Sequence, residues 1–437
     1  MGNPPVDRPV VMGKIKDEFS KRDLTYVSKR DTLFERLAYL DGFINSRFQP
    51  ISFQIYTEAR WLILYTDDWP RASAVLDRLE SSLREVPQTL TQQADGSWGR
   101  GYTEWYRKLE PTISALQQDT VIHGPLLPLK FMEKLQDPDY TLAYLDSLRT
   151  SKIRRTGRNN RDEYGSVQSA LSQLLFKPAI ARLLKDRAKD LEFKISDDLK
   201  KRYLHYILDV QSRVTGFWGP SYDFPGGTLE VQDMSFTFHN VHYYGDYGVR
   251  KQRGGNVPRL REIARTALEI KDFLFPNGWI ANEQPPPPKP PDPRKPKYND
   301  HNNYDVVTLF ANCWPVVSKG MQTDMKAALQ MLLDWCLDNS LKGDGFVVTG
   351  DGTPASIWYY AIRFLQFVGF WDGKAPWGWM KKTTNSPDPK TLGQALRSRF
   401  ERDFDDNSPE AEKVKDILKA IAAGQPLPKL RPGVPIF

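Results

Sequence analysis

Apolar residues recur along most of this chain at spacings of three and four, the period of a helix with one buried face. Leu33, Leu37, Leu40 and Ile44 mark such a stripe across residues 32–44. Leu199, Leu204, Ile207, Leu208 and Val214 mark a second. Met325, Leu329, Leu332, Leu333 and Cys336 form a third within 321–341. Residues 357–370 are apolar nearly all round and include Tyr359, Tyr360, Phe364 and Phe367, which predicts a helix buried between layers. Strict alternation is scarce, and Gly345–Val348 is the best short strand candidate. The pattern predicts an all-α chain with at most a small β element.

Between the helical stretches a turn keeps returning, glycine beside an aromatic or polar residue. It stands at Asp95–Gly99, Thr156–Asn160, Thr215–Gly219, Asn277–Trp279 and Asp344–Phe346. The interval is roughly 60 residues, within the range where repeats imply stacked supersecondary units. Two helices and two connections fill about that length, so each unit has the size of a helical hairpin. About six such hairpins would close into a double-layered α/α toroid, with an inner apolar ring and an outer amphipathic one. Turns gathered at one rim would set Trp98, Trp218 and Trp279 around a funnel as substrate-binding aromatics, and the plainer alternative is that each packs its own hairpin.

One segment interrupts the rhythm. Residues 284–297 read QPPPPKPPDPRKPK, which excludes helix and predicts an extended, stiff loop at the rim, a lid, linker or docking segment. The organisation expected is an N-terminal extension over 1–30, the toroid over 31–385 and a helical tail over 386–437.

Composition narrows the function classes. Aromatic residues make up 12% of the 437, too many for a chain disordered over most of its length. The net charge of +7 is modest and spread along the chain, whereas nucleic-acid binders concentrate such charge, so no nucleic-acid partner is expected. The densest basic group is Lys152, Arg154, Arg155, Arg158 and Arg161, a solvated loop on the plainer reading. No apolar run is long enough to span a bilayer, and the first twenty residues hold no apolar leader, which predicts a soluble chain of unassigned compartment. Cys313 and Cys336 sit in apolar patterns as small buried hydrophobes. Oligomeric state is not predicted.

Chemistry concentrates in two polar clusters. The first holds Asp233, His239, Asn240, His242 and Tyr243, with Arg250 following as a cationic binding candidate. The second holds His301, Asn302, Asn303, Tyr304 and Asp305 at the head of an apolar helix. His239 and His242 are three apart, a usable ligand spacing, yet no convergent Cys or carboxylate set accompanies them, so neither metal nor cofactor is expected. No nucleophile elbow, Walker loop or dinucleotide glycine loop is present. Asn, His, Tyr and Arg suit β-elimination on a uronate: donors neutralise the carboxylate, a base takes the adjacent proton, and a hydroxyl protonates the leaving oxygen. Glu104, Asp233, Asp305 and Asp351 keep open a glycoside hydrolase built on paired carboxylates. Asn302 and Asn303 at a helix start could equally be caps, and His239 and His242 could be core residues.

His301-Asn302-Asn303-Tyr304-Asp305 resembles, in permuted order, the Asn-Asn-His…Tyr-Asp signature of alginate-lyase-like toroid polysaccharide lyases. The architecture is also similar to terpenoid-cyclase-type toroids, but Asp67-Asp68 and Asp405-Asp406 do not resemble their acidic motifs. The lyase resemblance implies Asn302 or Asn303 as carboxylate neutraliser, assisted by His301 or His239, and Tyr304 or Tyr243 as proton carrier. It also implies a polysaccharide or oligosaccharide as substrate. The remaining alternatives are a terpenoid-cyclase-like enzyme and a non-enzymatic helical binding module.

Overall fold

The computed structural model describes residues 29–30, 32–40, 51–66, 68–83, 92–98, 103–117, 126–246, 257–281, 298–346, 354–403, 409–425 and 427. Arg250, Asp351, Asp67, Asp405, Asp406 and the proline-rich 284–297 segment lie outside them, as does nearly all of the expected 1–30 extension. The described residues are all-α with a few two- to four-residue strands, and no closed barrel occurs among them. None of the described helices is long and apolar enough to cross a membrane.

The described residues fall into two compact units, one ending at Thr112 and the other beginning at Ile113, where the sequence leads one to expect a single toroid from 31 to 385. In the first unit α1 (32–40), α2 (Phe53–Tyr65) and α3 (Trp69–Ser81) share a core of Phe34, Leu37, Leu40, Ala59, Leu62, Ile63, Leu76 and Leu79. Of the stripe read at Leu33, Leu37, Leu40 and Ile44, Leu37 and Leu40 are buried, Leu33 packs partly buried against this core, and Ile44 lies outside the described residues. Ser52 caps α2 by accepting the Ile55 N–H. Helix α4 (Leu109–Gln117) contains the boundary.

The second unit holds α5 (Pro138–Arg149), α6 (Ile153–Thr156), α7 (Arg161–Phe176), α8 (Pro178–Asp186), α9 (Ala188–Leu191) and α10 (Asp197–Asp209). It continues with α11 (Met234–Asp246), α12 (Leu260–Glu269), α13 (Asp300–Cys313), α14 (Lys319–Trp335), α15 (Pro354–Phe367), α16 (Pro389–Asp403) and α17 (Pro409–Ala422). Helices α7, α11, α13, α15 and α17 follow one another in space, and α5, α10, α12 and α14 pack outside them. Thus the four glycine turns of this unit, at 156–160, 215–219, 277–279 and 344–346, each lead from an outer to an inner helix, whereas the turn at Asp95 belongs to the first unit and joins no such pair. These contacts describe an arc in two layers and do not close it into the six-hairpin toroid. The expected tail is part of this unit, since α17 packs on α15 as well as α16.

Two pairs of neighbouring inner helices run parallel, and a third, α11 and α13, meets near its starts through Phe238 and Tyr304. Along α7 and α11 the contacts advance together, from Tyr164 with Phe236 to Gln168 with Asn240 and Ser169 with Tyr243. Along α13 and α15 they advance from His301 with Tyr360 to Tyr304 with Phe367. Parallel helices bring the starts of α7, α11 and α13 to one end, which is where the polar clusters lie.

Two short sheets complete the unit. Strands β1 (Thr150–Ser151), β2 (Ser221–Phe224) and β3 (Gly227–Glu230) pair in that order, β2 and β3 as a hairpin. Strands β4 (Leu341–Lys342) and β5 (Gly345–Phe346) form the element expected near 345, with Val347 and Val348 outside the described residues. Two turns require glycine. Gly216 has φ of 73°, and a Cβ there would sit 2.8 Å from the Arg259 carbonyl. At Gly278 a Cβ would collide with the Phe273 and Ile270 carbonyls. The stripe ending at Val214 overshoots: α10 stops at Asp209, and Val214 is exposed in the turn that follows.

Candidate functional site

Helix α13 begins at Asn299, whose side chain accepts the Asn302 N–H at 2.7 Å. From Asp300 to Cys313 it is walled on all sides by α11, α12, α14 and α15, and among its residues only His301 is exposed. A buried helix reads as apolar, yet this one buries Asp300, Asn302, Asn303, Asp305 and Thr308. Such groups are costly without partners, so their placement is specific to this helix.

The His301 ring stacks on Tyr360 at 4.2 Å, and its Nε2 lies 4.0 Å from Asp305 Oδ1. Its side chain keeps 47% of its surface open. Desolvation by the surrounding protein nevertheless pulls its pKa down to about 4. His239, on α11, is pulled down to about 3 by burial, and His242, His301 and Arg161 push the same way. Both imidazoles are therefore neutral at neutral pH. His239 Nδ1 is buried without a hydrogen-bond partner. Burial raises the Asp305 carboxyl well above its ordinary range, and Asp233 adds to the shift. A neutral His301 thus stands 4.0 Å from a carboxyl whose pKa burial raises, and His239 acts electrostatically on His301.

Arg161, the first residue of α7, completes this end. Its Nε donates to Asp233 Oδ2 at 2.7 Å and its Nη1 to Asp162 at 3.0 Å. Asp233 Oδ1 accepts the Phe236 N–H at 3.1 Å, which caps α11. Asp233 is thereby committed to structure through both oxygens.

The remaining candidates fall in other places. Tyr304 is 1% exposed, packed among Phe238, Tyr359, Tyr360 and Phe367. The Tyr243 hydroxyl pairs with Ser169 Oγ at 2.9 Å. Asn303 is fully buried, and neither atom of its amide has a partner. Asn302 donates to the Trp279 carbonyl at 3.2 Å, and Asn240 to Gln168 at 3.0 Å. His242 is buried with its ring stacked on Phe238. Trp218 donates from Nε1 to the Ile207 carbonyl at 2.7 Å, and Trp279 packs against Phe310. Both indoles are fully buried, so neither stands at an open rim; each secures its own hairpin.

Trp98 and Glu104 belong to the first unit. Trp98 is half-buried there, its backbone paired with Thr112. Glu104 accepts the Ser52 hydroxyl at 2.5 Å and the Gln54 N–H at 3.0 Å, reinforcing the start of α2. Of the second cluster, then, the structure joins His301 and Asp305 with His239 of the first cluster. It adds Arg161, hidden in the sequence within a basic run, and Tyr360, hidden within an apolar one. Among the described residues no group of three or more His, Cys, Asp or Glu side chains converges as a metal site.

The buried carboxyl gives a stability prediction. Unfolded Asp305 ionises from about pH 4 upward, while the folded carboxyl holds its proton to higher pH. Wild-type stability therefore declines as pH rises through that window, and a residue that does not ionise escapes the penalty. The melting temperature of Asp305→Asn minus that of wild type should become more positive from pH 4 to pH 7. A pH-independent difference would contradict the assignment.

In comparisons with known proteins, no family model, no curated protein and no solved structure matches the chain.

Proposed function

We propose that this chain is a carbohydrate-active enzyme that cleaves an acidic, uronate-containing polysaccharide by β-elimination. The observation that carries the reading is His301: a neutral imidazole at the one exposed position of an otherwise enclosed polar helix, in electrostatic reach of His239 and 4.0 Å from Asp305, whose carboxyl pKa burial raises. A neutral imidazole can remove the C5 proton of a uronate without first losing one of its own. Electrons from that C–H bond form the C4–C5 double bond as the bond to the O4 leaving group breaks. The Asp305 carboxyl, 4.0 Å from His301, or the hydroxyl of Tyr360, whose ring stacks on His301, would return a proton to the leaving oxygen. Arg161 retains Nη2 for the substrate carboxylate, whose charge increases in the enolate-like transition state.

A protonated Asp305 would also serve a glycoside hydrolase as general acid. That reading needs a second free carboxylate, and Asp233 is engaged through both oxygens. Incubation with a panel of polyuronates and neutral glycans separates the two. Elimination leaves an unsaturated, ultraviolet-absorbing end, and reducing ends released without absorbance would indicate hydrolysis instead. Neither signal from any member would remove the catalytic reading.

A further inference from the structure

The hairpin of β2 and β3 projects from the second unit with every residue from Asp223 to Glu230 exposed. Its register puts Tyr222 opposite Leu229 and Phe224 opposite Gly227. Side chains alternate across a strand, so Tyr222, Phe224 and Leu229 share one face, while Ser221, Asp223, Thr228 and Glu230 share the other. The first face is apolar and open, with Phe224 at 49% and Leu229 at 54% exposure. Apolar residues at the tip of a two-stranded ribbon contribute little to a core, so packing does not account for them.

Its surroundings indicate what would cover it. Asn159, Arg161 and Asp233 all lie close enough to act on the Tyr222 hydroxyl. That places the root of the apolar face beside the arginine of the candidate site. Helix α6 packs on β2, and its neighbourhood holds Lys152, Arg154 and Arg155, exposed and with no acidic partner among the described residues. Arg149 is engaged by Glu230 at 3.0 Å and Arg158 by Glu163. A ribbon face that can lie flat against a ring, edged by unmatched cations, complements a chain of rings bearing carboxylates.

We propose that this hairpin is an outlying subsite for an acidic glycan: Tyr222, Phe224 and Leu229 pack against a sugar ring flanking the reacting unit, and Lys152, Arg154 and Arg155 meet carboxylates further along. The inference rests on the β-elimination reading for its substrate class. It differs in concerning binding rather than chemistry.

The test is affinity electrophoresis of the full chain through gels containing polygalacturonate, alginate or hyaluronate, with dextran as the neutral control. Wild type should be retarded by at least one acidic glycan and not by dextran. Phe224→Ala with Leu229→Ser, and separately Arg154→Glu with Arg155→Glu, should each weaken that retardation about tenfold, equivalent to ~1.4 kcal/mol. Their melting temperatures should stay at the wild-type value, because all four side chains are exposed. Absence of retardation in wild type, or wild-type retardation of both variants, would overturn the subsite. So would equal retardation by dextran, or a single-stranded oligonucleotide bound through the same four residues in preference to the glycans. A hairpin-dependent glycan complex that yields no ultraviolet-absorbing product sinks the elimination chemistry and leaves the subsite standing. Elimination that is indifferent to the hairpin variants sinks the subsite alone.

Discussion

His301→Ala is expected to lower the rate of polyuronate cleavage by about 10²–10⁴, the range over which one positioned general base contributes. The loss should fall on turnover more than on substrate affinity, since the ring is assigned to the proton and Arg161 to the carboxylate. Folding should be nearly unaffected. The side chain is half open, and removing the ring forfeits its stack on Tyr360, worth ~1 kcal/mol for such an aromatic pair. The pH profile gives a second readout. A base works in its deprotonated form, and this imidazole titrates at about 4 rather than 6.5. Wild-type cleavage should therefore persist below the usual histidine range and fall only as the pH drops through about 4. An acid limb near 6.5, or a His301→Ala rate within a factor of two of wild type, would remove His301 from the mechanism.

The second large effect is on stability. Trp218→Ala should cost about 3–5 kcal/mol, as for other fully buried large aromatic residues cut back to alanine. The indole is 1% exposed, and its removal also leaves the Ile207 carbonyl without its 2.7 Å donor inside the core. Chemical denaturation followed by circular dichroism would show a lower midpoint. An indole at a substrate rim would behave in the opposite way, with glycan affinity falling and the midpoint unchanged. That outcome would contradict the packing of Trp218 inside its hairpin.

The helical character of the chain is legible in the sequence because its periodicity survives averaging over many turns. The stripes at Leu33–Leu40 and Met325–Leu333 fall on packed faces of α1 and α14, and the 357–370 run covers most of α15 and the buried turn that follows its end at Phe367. Boundaries are less legible. Val214 continues the period of α10 by accident, past a helix that ends at Asp209, because spacing alone does not register where backbone hydrogen bonding stops. The glycine turns do mark chain reversals, but the tryptophans beside them occupy a different environment from the open rim that the pattern suggests. Trp218 and Trp279 follow a turn that reverses the chain into its own hairpin, and burying an indole there outweighs leaving it in water.

The candidate site is half legible. Five consecutive polar residues at 301–305 announce an unusual helix start, yet which of them meets solvent depends on which face its neighbours leave uncovered. Tyr304 and Asn303 look equivalent to His301 in sequence, and packing by α11 and α15 encloses them. Arg161 does not stand out as a site residue because a cation in a basic run carries no local sign of the carboxylate 72 residues away that holds it. Tyr360 does not stand out either, because one phenol in an apolar helix has the same signature whether it faces a core or a cleft.

The sealing of α13 has a consequence for how a ligand could be accommodated. Its backbone amides should exchange with deuterium only when the whole second unit opens, placing it among the last segments to label. The imidazole is thus mounted on the slowest-opening part of the unit. Adjustment to glycans of different shape would then have to come from the segments around that ring, and substitutions that broaden ligand range would accumulate there and spare the helix.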